Sequence, residues 1–155
     1  MLPREVTEIL HEREFVSVAT CDLKGRPNAA PKFLLKIVGN SIYLVDYTIG
    51  KSWENIKINP RISISFMDQH SLRGYQLNGT VKIIDKGPEF KDMCDEMTRK
   101  EVRLTAKRII EDVRGEKKHE NFEVLITEKF VILEASIKEA VEIGPKGEVR
   151  RNSAQ

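Results

Sequence analysis

The alternation of apolar and polar positions predicts a run of short strands joined by tight turns. Branched apolar residues are concentrated at 14–20 and again at 29–38. The turn-forming segment 22–27, in which Gly25 is available for a positive φ, separates these two runs. A second turn at 39–41 leads into a third strand that ends at residue 46. Two hairpins in succession indicate an antiparallel meander.

Further strands are predicted after a break in this pattern. Within 61–67, isoleucine and phenylalanine alternate with serine, which is typical of a half-buried strand. Residues 74–84 predict a fifth strand, in which Gly79 marks a bulge or a close approach of a neighbouring backbone. Residues 130–143 predict one long final strand, and 122–127 are compatible with either strand or helix.

Three segments have helical spacing. A short helix is predicted over 3–12, and another over 52–58, which Pro60 terminates. A long helix is predicted over 88–114, with Gly115 at its end.

Six antiparallel strands in a chain of 155 residues need protection for their edges, and closure into a barrel removes those edges. The expected fold is therefore mainly β (α+β), a six-stranded antiparallel barrel with short and long flanking helices. We expect one domain over 1–145, followed by a frayed polar tail over 146–155.

Composition narrows the function classes. The chain is 40% apolar and 32% charged, and its net charge of +2 arises from interspersed residues, so no nucleic-acid partner is expected. No apolar run reaches membrane length, and the N-terminus does not resemble a signal peptide. Cys21 and Cys94 are far apart and form no CxxC pair, which favours reduced thiols and a cytoplasmic location. The three histidines, His11, His70 and His119, lack a ligand spacing, so no metal site is expected.

The segment that enters the second helix is a candidate anion site. Gly50 permits close approach to the backbone, Lys51 adds positive charge, and Thr48 and Ser52 add hydroxyl groups. The start of a helix also presents unpaired N–H groups and the positive end of its dipole. A solvated helix entrance accounts for the same residues, so two interpretations stand side by side.

The second strand carries two lysines. Even spacing on a strand predicts that Lys32, Leu34 and Lys36 share one face, and Pro31 favours an edge or a bulge. Either the lysines protect an exposed edge, or they form a cationic face beside Lys51.

These segments, taken in order, resemble the pyridoxamine 5′-phosphate oxidase-like, FMN-binding split-barrel superfamily, and within it the small FMN-binding members. The resemblance covers about residues 1–95. It is carried by Phe15–Thr20, Gly25–Pro31, Lys51-Ser52 with Asn55-Ile56, Asn59–Arg61, Gly74–Thr80 and Gly87–Phe90.

The resemblance implies a split β-barrel that binds FMN at the interface of a homodimer. It assigns the phosphate to the second helix, the ribityl chain and ring edge to the second strand, and further ring contacts to the end of the third strand. One residue would approach from the partner-facing strand. The cofactor residues implied in this way are Lys51, Ser52 and Asn55, then Ala30, Pro31 and Lys32, then Asp46, Tyr47 and Thr48, and finally Gln76.

The chain departs from the oxidase itself. The substrate-binding C-terminal segment of that enzyme, with its arginine, histidine and tryptophan, has no counterpart here, because Trp53 is the sole tryptophan. Vitamin B6 oxidation is therefore not expected. The leading hypothesis is an FMN-dependent oxidoreductase or electron-transfer protein, in which the charge of Lys32 favours the anionic reduced flavin. The alternatives are a non-catalytic carrier or sensor of flavin, deazaflavin or haem, and a structural dimer.

Overall fold

The computed structural model describes residues 1–115 and 129–153, and it describes 109–115 by their backbone alone. The described part contains three helices and seven strands. In chain order they are α1 (Arg4–His11), β1 (Phe15–Cys21), β2 (Pro27–Val38), β3 (Ser41–Asp46), α2 (Lys51–Ile58), β4 (Arg61–Asp68), β5 (Arg73–Ile84), α3 (Gly87–Gly115), β6 (Val131–Ile143) and β7 (Val149–Ser153). The ambiguous segment 122–127 lies outside the described residues.

Six of the strands close into an antiparallel barrel, as the sequence pattern predicts. Their order is β3-β2-β1-β4-β5-β6, and pairing of β3 with β6 joins the two ends. This barrel lies in a compact unit made of Met1–Asp85 and Lys129–Gln155. A second compact unit, Lys86–Glu128, contains α3.

The barrel interior is filled by alternate strand residues. On β1 and β4 the buried positions are valine, isoleucine and Thr20, while the intervening serines and alanine face outward. Leu10 of α1 is fully buried and joins the same core cluster. The two-residue period therefore decides which face of each strand is apolar, and burial of that face stabilises the closed sheet.

A bulge in β2 overturns the prediction that Lys32, Leu34 and Lys36 share one face. Leu34 pairs with Leu44, but Lys36 pairs with Tyr43, so one extra residue lies between them. An extra residue reverses the side to which later side chains point. Lys36 consequently lies over the Tyr43 ring, with its Nζ 5.2 Å from the ring centroid, whereas Lys32 is buried.

The end of the chain is a strand and not the frayed tail expected from its polarity. β7 pairs in antiparallel register with residues 139–143 of β6, although all five of its residues are exposed. A positive φ of 85° at Gly147 turns the chain back, and Arg151 pairs with Glu139 at 3.0 Å. Polar side chains are compatible with this strand because an edge strand is held by its backbone hydrogen bonds.

Gly79 lies at a close contact between β5 and β6, as its position in the strand predicts. The register of the two strands shifts between Asn78 and Gly79. A Cβ atom on Gly79 would stand only 2.1 Å from the backbone oxygen of Ser136. Because a backbone oxygen in a ladder cannot move aside cheaply, this position excludes a side chain.

We expect Gly79→Ala to lower the free energy of unfolding by about 2–3 kcal/mol, through overpacking against β6. Gly74→Ala is the matched control on the same strand, because its Cβ would meet Ile143 at an ordinary 3.7 Å. Urea denaturation of the two variants measures the difference. Equal stabilities would contradict the close contact.

Candidate functional site

The candidate site begins where β2 lacks a second neighbouring strand. β1 pairs with residues 27–33 of β2, but β3 pairs only with residues 33–38. Within the described ranges, the first half of β2 is therefore open along one edge, and Pro31 lies there, as expected of a residue that cannot donate to a ladder. Helix α2 contacts β1, β2 and β5. The opening thus combines free strand backbone with the helix.

Buried polar side chains connect α2 to β1 and to this open half of β2. Ser52 and Asn55 of the helix are 2% and 1% exposed. Asn28 Nδ2 donates to Ser52 Oγ at 2.9 Å, and Asn55 Nδ2 donates to Thr20 Oγ1 at 3.1 Å. Because buried polar groups are costly unless they are hydrogen-bonded, this network fixes the orientation of the helix.

The N-terminus of α2 has no capping side chain. Gly50 occupies the cap position and makes no side-chain hydrogen bond to the first turn. The first intrahelical bond runs from Glu54 N to Gly50 O. The preceding amides are suited to an anionic acceptor. Lys51 lies at this point but is 53% exposed, and its Nζ is 3.0 Å from Glu54 Oε2.

A buried ion pair lies further along β2. Lys32 Nζ is 2.7 Å from Asp46 Oδ1, and the two side chains are 3% and 0% exposed. The same oxygen accepts hydrogen bonds from the backbone N–H and the hydroxyl of Thr48, at 3.1 and 2.9 Å. The ammonium is therefore buried and neutralised by its partner, so Lys32 is neither an exposed edge lysine nor part of a cationic face, the two interpretations that the sequence left open.

Two buried acceptors in this region lack hydrogen-bond partners. They are Asp46 Oδ2 and Asn55 Oδ1. A buried acceptor without a donor carries a desolvation cost that a ligand hydroxyl or N–H group would relieve. The polyhydroxylated chain of FMN supplies such donors, so the residues present fit this cofactor.

The adjoining β1–β2 turn is rigidly held. Asp22 accepts hydrogen bonds from Lys24 N and Arg26 N, and it pairs with the Arg26 guanidinium at 2.6 Å. The backbone N–H of Arg26, followed by its side chain, lowers the pKa of the Asp22 carboxyl. This turn carries the chain directly into Asn28.

The structure brings most of the predicted residues together but separates others. Ala30 and Lys32 follow Asn28 on the inner face of β2, whereas Pro31 is exposed on the outer face. Tyr47 is half-buried between the rings of Phe33 and Phe130, at centroid distances of 6.5 and 6.3 Å.

Gln76 lies elsewhere. It is on β5, which β1 and β4 separate from β2, and its Nε2 donates to Ser63 Oγ at 3.2 Å. Within this chain, Gln76 is therefore not part of the polar cluster formed by Ser52, Asn55 and the Lys32–Asp46 pair.

Sequence reasoning missed two members of the cluster, Thr20 and Asn28. The sequence pattern does indicate both positions. Thr20 continues the inward-facing series of Val16 and Val18, and Asn28 pairs with Thr20 across the hairpin. A polar residue in register with inward valines was the available signal.

We expect Lys32→Met to lower the free energy of unfolding by about 3–5 kcal/mol, because it leaves the Asp46 carboxylate buried without its partner. The double variant Lys32→Met/Asp46→Asn removes both charges and should recover more than half of this loss. Denaturant titration of the single and double variants tests the pair. A double variant no more stable than Lys32→Met would show that the charges are not coupled.

Comparison with known proteins agrees with this architecture. The family model described as pyridoxamine 5′-phosphate oxidase matches residues 2–128. No curated protein matches the chain.

Many solved structures are similar to the chain, and the following three are examples. A Clostridium acetobutylicum protein related to general stress protein 26 has a TM-score of 0.64 at 20% identity, over 96% of this chain and 92% of that one. A pyridoxamine 5′-phosphate oxidase-related, FMN-binding protein of Nostoc punctiforme has a TM-score of 0.60 at 12% identity, over 99% and 97%. A haem-binding protein of Mycobacterium smegmatis has a TM-score of 0.60 at 16% identity, over 99% of this chain and 60% of that one. At these identities the structures show a shared fold, while the family model covers most of the sequence. The chain therefore belongs to the pyridoxamine 5′-phosphate oxidase-like split-barrel family.

Proposed function

We propose that this protein is an FMN-binding flavoprotein that holds the cofactor along the open half of β2. The observation that carries the proposal is the row of buried polar groups running from Ser52 and Asn55 to the Lys32–Asp46 pair, with two acceptors that lack donors. Asn28 and Lys32 are four residues apart on a strand, which spans about 13 Å. That length suits an extended ligand with a phosphate at one end.

The phosphate end is assigned to the start of α2. The amides of the first turn and the Ser52 hydroxyl would bind the phosphate oxygens. Lys51 would leave Glu54 and form a charge-assisted hydrogen bond to the phosphate. Loss of the Lys51–Glu54 pair costs little, because an exposed ion pair contributes only about 0.2–1 kcal/mol. Asn55 and Asp46 would accept hydrogen bonds from the ribityl hydroxyls.

The ring end is assigned to Ala30, Pro31 and Lys32 on β2, and to Tyr47 after β3. When bound, FMN supplies the electron- or hydride-transfer chemistry. Because Asp46 neutralises Lys32, the stabilisation of anionic reduced flavin expected from a lone lysine is weakened. We propose an oxidoreductase or electron-transfer role with a small-molecule redox partner, distinct from vitamin B6 oxidation.

We further propose a homodimer in which a second copy covers the outer face of β1, β2, β4 and β5. This face carries small exposed residues at Ser17, Ala19, Ala29 and Ser65. It also carries Gln76, which a symmetric partner could bring to the open half of the opposite β2. The flatness of such small side chains allows two sheets to approach closely.

A cytoplasmic location is part of the proposal. Both cysteines, Cys21 and Cys94, are free thiols, as is usual in a reducing compartment. Within the described ranges, no helix is long and apolar enough to span a membrane.

A carrier of haem or deazaflavin is the second candidate, because the similar Mycobacterium smegmatis structure is a haem-binding protein. The described histidines favour FMN instead. His11 ends α1 and His70 lies in the β4–β5 turn, both exposed. Neither of these histidines belongs to the buried polar row of Ser52, Asn55, Lys32 and Asp46.

We expect the purified protein, after incubation with FMN and desalting, to show the visible absorption bands of oxidised flavin. Lys51→Ala should weaken FMN binding about tenfold, because it removes one charge-assisted bond to the phosphate. Lys57→Ala, which changes a charge at the other end of α2, is the control. Fluorescence titration of FMN gives the three dissociation constants.

If the protein takes up no FMN but binds haem or deazaflavin, the carrier hypothesis replaces the FMN proposal. Steady oxidation of NADH or NADPH with an added acceptor would distinguish an enzyme from a non-catalytic flavin carrier.

We expect sedimentation equilibrium to give twice the chain mass of 17.8 kDa. Ser65→Arg places a long cation on the outer face and should shift the protein to the monomer and weaken FMN binding. Val38→Arg, at an exposed position near the β2–β3 turn, should leave the dimer intact. A monomeric wild-type protein that binds FMN tightly would contradict a shared site.

A further inference from the structure

We propose that Asp46 and Thr48 form a clamp that holds the entrance of α2 in the conformation needed to bind a phosphate group. Asp46 ends β3 and α2 begins at Lys51, so only residues 47–50 lie between the strand and the helix. The proposal rests on FMN being the ligand, and it assigns to these two residues a positioning role toward the phosphate.

The first observation is the concentration of hydrogen bonds on one buried atom. Asp46 Oδ1 accepts from Lys32 Nζ, Thr48 N and Thr48 Oγ1, at 2.7, 3.1 and 2.9 Å. Lys32 ties this carboxylate to β2, while Thr48 is the second of the four residues that connect β3 to α2. One oxygen therefore joins the open strand to the helix entrance.

The second observation is backbone strain in the same connection. Ile49 has a φ of 41°, a left-handed conformation that a β-branched residue rarely adopts. Its side chain packs against the barrel core. Such a conformation persists only where its surroundings enforce it, and here the Thr48 hydrogen bonds on one side and the packing of Ile49 on the other do so.

The third observation is the position of the strained residue, directly before the start of α2. Ile49 is followed by Gly50, the cap residue of α2, which leaves the first turn without a side-chain acceptor. A Cβ on Gly50 would stand 3.7 Å from Thr48 Oγ1, so the clamp hydroxyl lies directly beside the helix entrance. The unpartnered Asp46 Oδ2 and Asn55 Oδ1 lie in the segments that flank this entrance.

Together these contacts make the phosphate site pre-organised. Without the clamp, residues 47–50 would relax from the left-handed conformation of Ile49, and FMN binding would have to restore it. The free-energy cost of restoring this conformation would weaken only the binding of the phosphate end of the ligand. Loss of the clamp should therefore reduce the preference for FMN over riboflavin, which lacks the phosphate.

The test compares Thr48→Val with Thr48→Ser. Valine keeps the size and branching of threonine but loses the hydroxyl, whereas serine keeps the hydroxyl. We expect Thr48→Val to weaken FMN binding about tenfold while riboflavin binding stays within about twofold. Thr48→Ser should bind both ligands as the wild-type protein does.

Amide hydrogen exchange in the ligand-free protein provides a second measurement. Thr48→Val should speed exchange at residues 48–52, and Thr48→Ser should not. Equal weakening of FMN and riboflavin, or unchanged exchange in Thr48→Val, would overturn the clamp while FMN binding itself stands. A wild-type protein that binds neither ligand, or that binds both equally, would overturn the clamp together with the phosphate site.

Discussion

The arrangement of the site depends on the unequal lengths of β2 and β3. β2 has twelve residues and β3 has six, so β3 covers only the second half of its neighbour. Pairing of β3 with β6 still closes the barrel. The first half of β2 is left with an open edge, and the chain places α2 beside it. Because backbone hydrogen-bonding groups at such an edge need partners, a split in the barrel is a natural place for a polar ligand.

The same constraint explains why polar residues are buried there. Four polar residues there are almost inaccessible, although burying a polar group is costly: Lys32, Asp46, Ser52 and Asn55. A buried ion pair rarely gains net stability over well-packed apolar residues. The network nevertheless fixes geometry, since each member is positioned by its partner. Buried polar groups with acceptors still unsatisfied are typical of a site that is completed by a ligand.

Within one fold the barrel serves more than one cofactor, as the FMN-binding and haem-binding similar structures show for those proteins. The fold supplies the opening, and the side chains that line it select the ligand. In this chain the lining is rich in hydroxyls, amides and one neutralised ion pair. Such a lining is the basis of our proposal that the ligand carries a phosphate and a polyol.

The sequence by itself determined the strands, the barrel and the place of the second helix, because alternation, turn residues and prolines act locally. It also placed Gly79 at a close contact. Only the tertiary structure decided the rest. A single bulge at Leu35 moved Lys36 to the opposite face, and a neighbouring strand supplied Asp46 to neutralise Lys32. The polar C-terminus became β7 because an edge of β6 was available. Register, bulges and ion pairs depend on residues distant in the chain, and local patterns carry no information about such partners.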